Sequence, residues 1–249
     1  MLSLNHGLSH NFDLFLTHAQ WIGYHAVWMM VILTAMTIEL AIFDFDGTLA
    51  DSYPVFADSV NVLAARHGFR QVQLHEQHTL RGMSARELMR ELHLPAWKVP
   101  AVMADFRGIL QRRIHDVHPF PGVLDALHAL LDKRMQLALA TSNTLQNVTA
   151  VLGEALTSRF ATLECGTSLF GKSHRLRRIL KHTRMATTEA IYVGDEIRDA
   201  EAASEAGMMF GAVAWGYTTM EALLRTKPGR MFRLPADMLE LEGCDRRLE

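Results

Sequence analysis

The chain has 249 residues, 49% of them hydrophobic, which is ample for a packed core and argues against a disordered protein. Its 25 basic and 27 acidic residues leave a net charge of −2, so no global field draws it to nucleic acid or an anionic membrane, and any anion must be bound locally. The two cysteines, Cys165 and Cys244, fit neither a disulfide framework nor a paired metal-ligand spacing, which makes a reducing, cytoplasmic compartment the expected one.

Leu14 to Ile38 contains no Asp, Glu, Lys or Arg, and its apolar part approaches the ~20 residues of a membrane span. No basic residue precedes it, and Gly23 and His25 interrupt it, so neither a signal peptide nor an oriented anchor is indicated. Residues 1–35 read as an N-terminal extension with Met36 as the expected start. A membrane would be a partner only if residues 14–38 were a genuine anchor.

Ile38 to Phe43 is an apolar run ending in Asp-Phe-Asp-Gly-Thr, the pattern of a buried strand entering a polar loop. After Pro54 the apolar spacing turns helical and stops at His67-Gly68. Further helices are predicted at Ser84 to Leu92, where Ser84 and Glu87 match a capping box, and from Trp97 to about His115. No strand is predicted from Pro54 to His118. Beyond Pro119-Phe-Pro-Gly122, helix Val123 to Lys133 precedes strand Met135 to Ala140, and Thr141-Ser-Asn143 supplies N-cap residues for a helix. A weaker strand at Phe160 to Leu163, a basic helix at Ser173 to His182 and a strand at Ala190 to Val193 follow. Helix Ile197 to Ala206, strand Phe210 to Ala214 and a surface tail from Lys227 complete the series. Strands separated by helices imply an α/β fold with a mostly parallel sheet covered on both faces.

In such a sheet, ligands bind beyond the carboxyl ends of the strands. The residues gathered there are Asp44 and Asp46, Thr141, Ser142 and Asn143, Lys172 in the loop after the third strand, and Asp195 and Asp199. Asp44 and Asp46, two apart on extended chain, face one site while Phe45 turns away. With Asp195 they offer three hard oxygen donors that suit magnesium, and no thiolates or clustered imidazoles favour zinc. Thr141 and Ser142, at a helix N-terminus, and the Lys172 ammonium suit a phosphate. A carboxylate among such groups fits phosphoryl transfer, and carboxylates can act as nucleophiles. Each piece alone has an ordinary reading as a turn, a cap or a solvated lysine; the case rests on all of them standing at successive strand ends.

The motifs resemble those of the haloacid dehalogenase superfamily in its phosphatase branch. Asp44-Phe-Asp-Gly-Thr48 is similar to the first motif, which implies a nucleophilic Asp44 and an acid/base Asp46. Thr141 matches the second motif, Lys172 the third, and Gly194-Asp-Glu-Ile-Arg-Asp199 the acidic fourth, in which Asp199 supports the metal ligands. The resemblance covers Met36 to about Tyr217 and implies a Rossmann-like core, residues 36–52 and 119–249, with a helical cap at 53–118. Phosphoglycolate phosphatases and β-phosphoglucomutases share this layout. The expected activity is magnesium-dependent hydrolysis of a small phosphorylated metabolite; a phosphomutase, or a silent binding protein on the same fold, is the alternative. Asp46 favours phosphate chemistry, since the dehalogenases of the superfamily work without metal and without the second aspartate.

Substrate choice is expected from the cap segment Arg81-Gly-Met-Ser-Ala-Arg86, in which Arg81 and Arg86 each carry a fork for an anion. The pairs His75 with His78 and His115 with His118 lack acidic or thiol partners and are not expected to bind metal. Arg175, Arg177, Arg178 and Lys181 form a basic stripe without interleaved aromatics, which reads as a solvated helix face and not as a nucleic-acid site.

Overall fold

The four-residue register shared by three strands explains why their sequences are apolar almost without interruption. Strand β1 (Leu40–Phe43) pairs in parallel with β4 (Gln136–Ala140) on one side and β6 (Ala190–Gly194) on the other. Ala41 and Phe43 share one core with Leu137, Leu139, Ile191 and Val193, whereas Leu40 and Ile42 share a second with Ala138, Ala140 and Tyr192. Alternate residues feed opposite faces, and both faces are covered. The structure is a computed structural model, and it describes residues 37–166 and 171–241. The expected extension and the possible anchor therefore lie outside the described residues, apart from Thr37 and Ile38. Among the described residues no helix is long and apolar enough to cross a membrane.

The sheet has six strands in the order β5-β4-β1-β6-β7-β8, all parallel, with β5 at Thr162–Glu164, β7 at Met209–Val213 and β8 at Arg230–Phe232. One face is packed by α5 (Val123–Asp132) and α6 (Leu145–Leu152) through Val123, Leu127, Leu130 and Val148. The other is packed by α8 (Lys172–Thr183) and α9 (Ile197–Ala206) through Leu176, Ile179, Ala202 and Ala203. A short α7 (Glu154–Thr157) follows α6, and α10 (Met220–Arg225) follows β7. The chain is an α/β protein with a Rossmann-like parallel sheet.

Between β2 (Ala50–Asp51) and β3 (His118–Pro119), which pair antiparallel, the described chain is helical. Helix α1 (Tyr53–His67) starts with Pro54 in its first turn and ends at left-handed Gly68, where a residue without Cβ carries no steric cost. It is followed by α2 (Gln77–Arg81), α3 (Ala85–Glu91) and α4 (Val99–Arg112). The Ser84 and Glu87 side chains make the capping box at the start of α3, as their spacing suggests. A small core of Val60, Val72, Leu80 and Leu92 ties α1 to the segment around α2 and α3.

Four expectations need correction. The two-residue β3 begins at His118, within the range given no strand. Lys172 is the first residue of α8 and not a loop residue. The helix after β4 is capped by Thr144, whose Oγ1 accepts from Asn147 N at 3.2 Å, so Thr141-Ser-Asn143 forms the loop before it. The segment from Lys227 is no tail: β8 adds an edge strand, and Phe232, Met238 and Leu241 are buried.

Candidate active site

Asp44 stands where β1 ends, its N–H donating to Val193 O at 2.8 Å, so the sheet's own ladder fixes the first carboxylate. The loop then turns tightly: Thr48, Leu49 and Ala50 all direct their N–H groups to Phe45 O. Gly47 has φ +78°, and a Cβ there would run into the Asp195 carboxylate and the Tyr217 ring. Glycine is therefore required by both conformation and space. Thr48 uses the turn to donate from Oγ1 to Asp195 Oδ1 at 2.7 Å.

The loop after β6 supplies the second group. Asp199 sits in the first turn of α9, where its Oδ2 accepts from the N–H groups of Asp195 (3.2 Å) and Glu196 (3.0 Å). Its Oδ1 accepts from Lys172 Nζ at 2.5 Å and from the Tyr192 hydroxyl at 3.1 Å. Four donors fill the acceptor sites of one carboxylate, so Asp199 organises the loop rather than binding a ligand. Lys172 Nζ also donates to Asp44 Oδ2 at 2.8 Å. Strand ends at β1 and β6 and the start of α8 thus converge on one part-buried ammonium.

Asp46 is held separately. Ser52 Oγ donates to its Oδ1 at 2.8 Å, and Asn143 Nδ2 donates to Oδ2 at 3.0 Å and Oδ1 at 3.2 Å. Asn143 is itself fixed, since its Oδ1 accepts from Thr144 N and Asn147 Nδ2, each at 2.8 Å. Thr141 is fully buried, and its Oγ1 accepts from Asn143 N at 3.0 Å. Ser142 is half-buried beside it.

The charges are unbalanced. Asp44, Asp46, Asp195, Glu196 and Asp199 face two cations, Lys172 and Arg198, and Arg198 is paired to Glu196. Burial pushes the Asp44 carboxyl up to about 7, against the pull of Lys172 and with help from the Asp199 charge. Burial likewise raises Asp46, opposed by the hydrogen bonds from Ser52 and Asn143. Asp195 is raised well above the carboxylate range by burial and then by the charges of Glu196, Asp199 and Asp44. Burial works against ionisation of Asp199 too, but Lys172 and Arg198 outweigh it and hold its carboxyl low. Surplus buried negative charge is what a cation relieves.

The donors fit a hard cation. Asp44, Glu196 and Asp199 each bring an oxygen within 4.8 Å of one another, and among the described residues no sulfur or imidazole joins them. Of the metal ligands expected, Asp44 belongs to this group; Asp46 lies two residues from it, and the Asp195 oxygens accept from Thr48 Oγ1 and Tyr217 N.

Sequence reasoning missed Glu196, although it lies inside the acidic motif. It also missed Thr48, Ser52 and Tyr217, which act on the carboxylates from loops and carry no chemical signature of their own. Arg81 is engaged with the core: Nε donates to Tyr217 O at 2.8 Å and Nη2 to Gly216 O at 2.5 Å, with the guanidinium 4.7 Å over the Tyr53 ring. Arg86 is exposed on α3. In the basic stripe, Arg175 donates to Thr141 O and Gly166 O, Arg177 to Glu205 O, and Arg178 pairs with Glu164. Arg177 and Arg178 are exposed, as expected of a solvated helix face, whereas Arg175 is half-buried.

Residues 41–213 match the sequence profile of the haloacid dehalogenase-like hydrolases. A phosphoglycolate phosphatase from Synechococcus elongatus is 32% identical over 208 residues, which span 82% of this chain and 96% of that protein. One from Agrobacterium fabrum is 30% identical over 72% of this chain and 82% of its own length. Among solved structures, a haloacid dehalogenase-like hydrolase from Streptococcus pneumoniae superposes with a TM-score of 0.67 at 20% identity, covering 82% of this chain and 97% of that chain. CbbY from Rhodobacter sphaeroides, in complex with xylulose-1,5-bisphosphate, does so with a TM-score of 0.62 at 20% identity, covering 81% and 96%.

Proposed function

The chain belongs to the haloacid dehalogenase-like hydrolases, and from that premise we propose that it is a magnesium-dependent phosphatase that cleaves a small phosphomonoester through an aspartyl-phosphate on Asp44. The observation that carries this reading is the triad at the end of β1, in which Lys172 bridges the buried Asp44 and Asp199. A carboxylate beside a fixed positive charge, with a second carboxyl group, Asp46, on the same loop, supports this reading.

In the first step an Asp44 oxygen attacks phosphorus and the ester P–O bond breaks, while Asp46 gives its proton to the departing oxygen. Burial raises Asp46, which favours the protonated form such an acid needs. In the second step Asp46 takes a proton from water, the water oxygen attacks phosphorus, and the P–O bond to Asp44 breaks. Inorganic phosphate leaves and both carboxylates return to their starting states. Lys172 keeps Asp44 in place and offsets its charge. The Thr141 and Ser142 hydroxyls are assigned to phosphoryl oxygens, and Asn143, expected there too, is assigned to holding Asp46, to which its amide donates. Asp44, Asp195 and Glu196, with Asp46 beside them, would hold a magnesium ion, which when bound neutralises charge on the transferring group.

The helical segment 53–118 is assigned to recognition of the rest of the substrate, with Arg86 as its exposed anion-binding residue. Phosphoglycolate is the first compound to test, because the relatives named above carry that activity in their names. The experiment is phosphate release from a panel of phosphorylated metabolites by wild type and Asp44→Asn. Release by wild type alone, with phosphate trapped on Asp44 by mass spectrometry, is the expected result. No release from any ester, aryl phosphates included, would refute the reading.

A further inference from the structure

Tyr217 lies between β7 and α10, yet it reaches two of the site's carboxylates, Asp195 directly and Asp46 through Ser52. Its N–H donates to Asp195 Oδ2 at 2.8 Å. Its hydroxyl lies 2.9 Å from Ser52 Oγ, and Ser52 Oγ donates to Asp46 Oδ1 at 2.8 Å. Counting protons fixes the direction of this relay. A serine hydroxyl has one hydrogen; Ser52 spends it on Asp46, so the tyrosine O–H must be the donor to Ser52 Oγ. Ser52 is fully buried, and the tyrosine's proton is what locks its rotor onto Asp46. Aligned donors in a chain also strengthen one another.

The tyrosine is held on several sides. Arg81 takes the carbonyls of Gly216 and Tyr217 in one fork. Trp215 Nε1 donates to Thr48 O at 3.0 Å. The ring meets Tyr53 edge-on with centroids 5.3 Å apart and Phe56 at 5.7 Å. At Gly216 a Cβ would collide with the Asp195 side chain and with Gly47 O, so the loop is pressed against the turn that carries Asp46. A phenol fixed this firmly has little freedom to turn away from Ser52.

We infer that Tyr217 is a positioning residue for Asp46, holding its carboxyl through Ser52 in the orientation from which a proton reaches the leaving oxygen. This rests on the reading of Asp46 as the acid. The consequence is selective. An alkoxide leaving group needs that proton, whereas p-nitrophenolate departs without it. Loss of the tyrosine hydroxyl therefore matters in proportion to the basicity of the leaving group.

The test measures kcat/KM, which includes the step that expels the leaving group. The full chain with magnesium is assayed as wild type, Tyr217→Phe, Ser52→Ala and Asp46→Asn on 2-phosphoglycolate and on p-nitrophenyl phosphate. Tyr217→Phe keeps the ring and removes one hydrogen bond, so kcat/KM for phosphoglycolate is expected to fall about 5- to 10-fold while p-nitrophenyl phosphate changes less than about 2-fold. Ser52→Ala should show the same split, and the double variant should be no worse than Ser52→Ala alone. Equal losses on the two esters, or no loss on either, while Asp46→Asn remains selective, would overturn the inference and leave the proposed mechanism standing. Equal losses in Asp46→Asn itself would overturn the reading of Asp46 as the acid, and this inference with it.

Discussion

Lys172 Nζ donates to Asp44 Oδ2 at 2.8 Å and shares its charge with Asp199 at 2.5 Å. The sharing makes the cluster asymmetric. Without Asp44, the lysine still has Asp199; without the lysine, two buried carboxylates face each other.

Asp44→Asn is accordingly expected to keep its fold and lose its chemistry. An amide is a poor nucleophile, and turnover should fall at least ~10³-fold, a loss within the range produced by removing a nucleophile. Phosphate release measures the first effect and thermal denaturation the second. Retention of a tenth of wild-type activity would exclude a covalent role for Asp44.

Lys172→Met should instead destabilise the metal-free protein by about 3–5 kcal/mol, the usual penalty for breaking a buried ion pair from one side. Urea denaturation in excess chelator reads it. A loss below about 1 kcal/mol would show that the carboxylates find another partner.

The metal-free protein should lose stability as pH rises. Asp44 is raised to about 7, and Asp46 and Asp195 are raised as well. Their folded forms hold protons that the unfolded chain releases near pH 4, so the stability these three groups contribute is fully present below that value and is lost as pH rises through their folded values, about 7 for Asp44. Magnesium competes with those protons, so its stabilising effect should grow from pH 5 to pH 7. An equal shift in melting temperature at both pH values would contradict this.

Arg81→Ala is expected to reduce activity on phosphoglycolate and on p-nitrophenyl phosphate alike, because its donors go to Tyr217 O and Gly216 O. Arg81→Lys should fail to rescue, since a point charge cannot reproduce a planar fork. Arg86→Ala should raise KM for phosphoglycolate alone. Steady-state kinetics on both esters separate the two, and a phosphoglycolate-selective loss in Arg81→Ala would place an anion at that guanidinium.

The strands that carry Asp44, Thr141 and Asp195 were legible because strands buried on both faces are written as unbroken apolar runs: Leu40 to Phe43, Leu137 to Ala140 and Ala190 to Val193. Strand β8 was not, because a three-residue edge strand beginning with an exposed Arg230 leaves no such run. The start of α8 at Lys172 was misplaced by one residue, since Gly171 can end a loop or precede a helix. The carboxylates announce themselves by charge at strand ends. Ser52 and Tyr217 do not, because their importance lies in a contact between positions 165 residues apart, which only the folded chain creates.

Strand order also bears on how the protein is made. Among the described residues strand β1 comes first in the sheet, yet its hydrogen-bonding neighbours begin at Gln136 and Ala190. During synthesis it leaves the ribosome with both edges open, and such unpaired apolar strands invite association with other chains. The helices of residues 53–112, whose contacts are more local, can form while it waits. Catalytic competence comes late in translation, when β6 docks and brings Asp195 and Asp199 alongside the first aspartate.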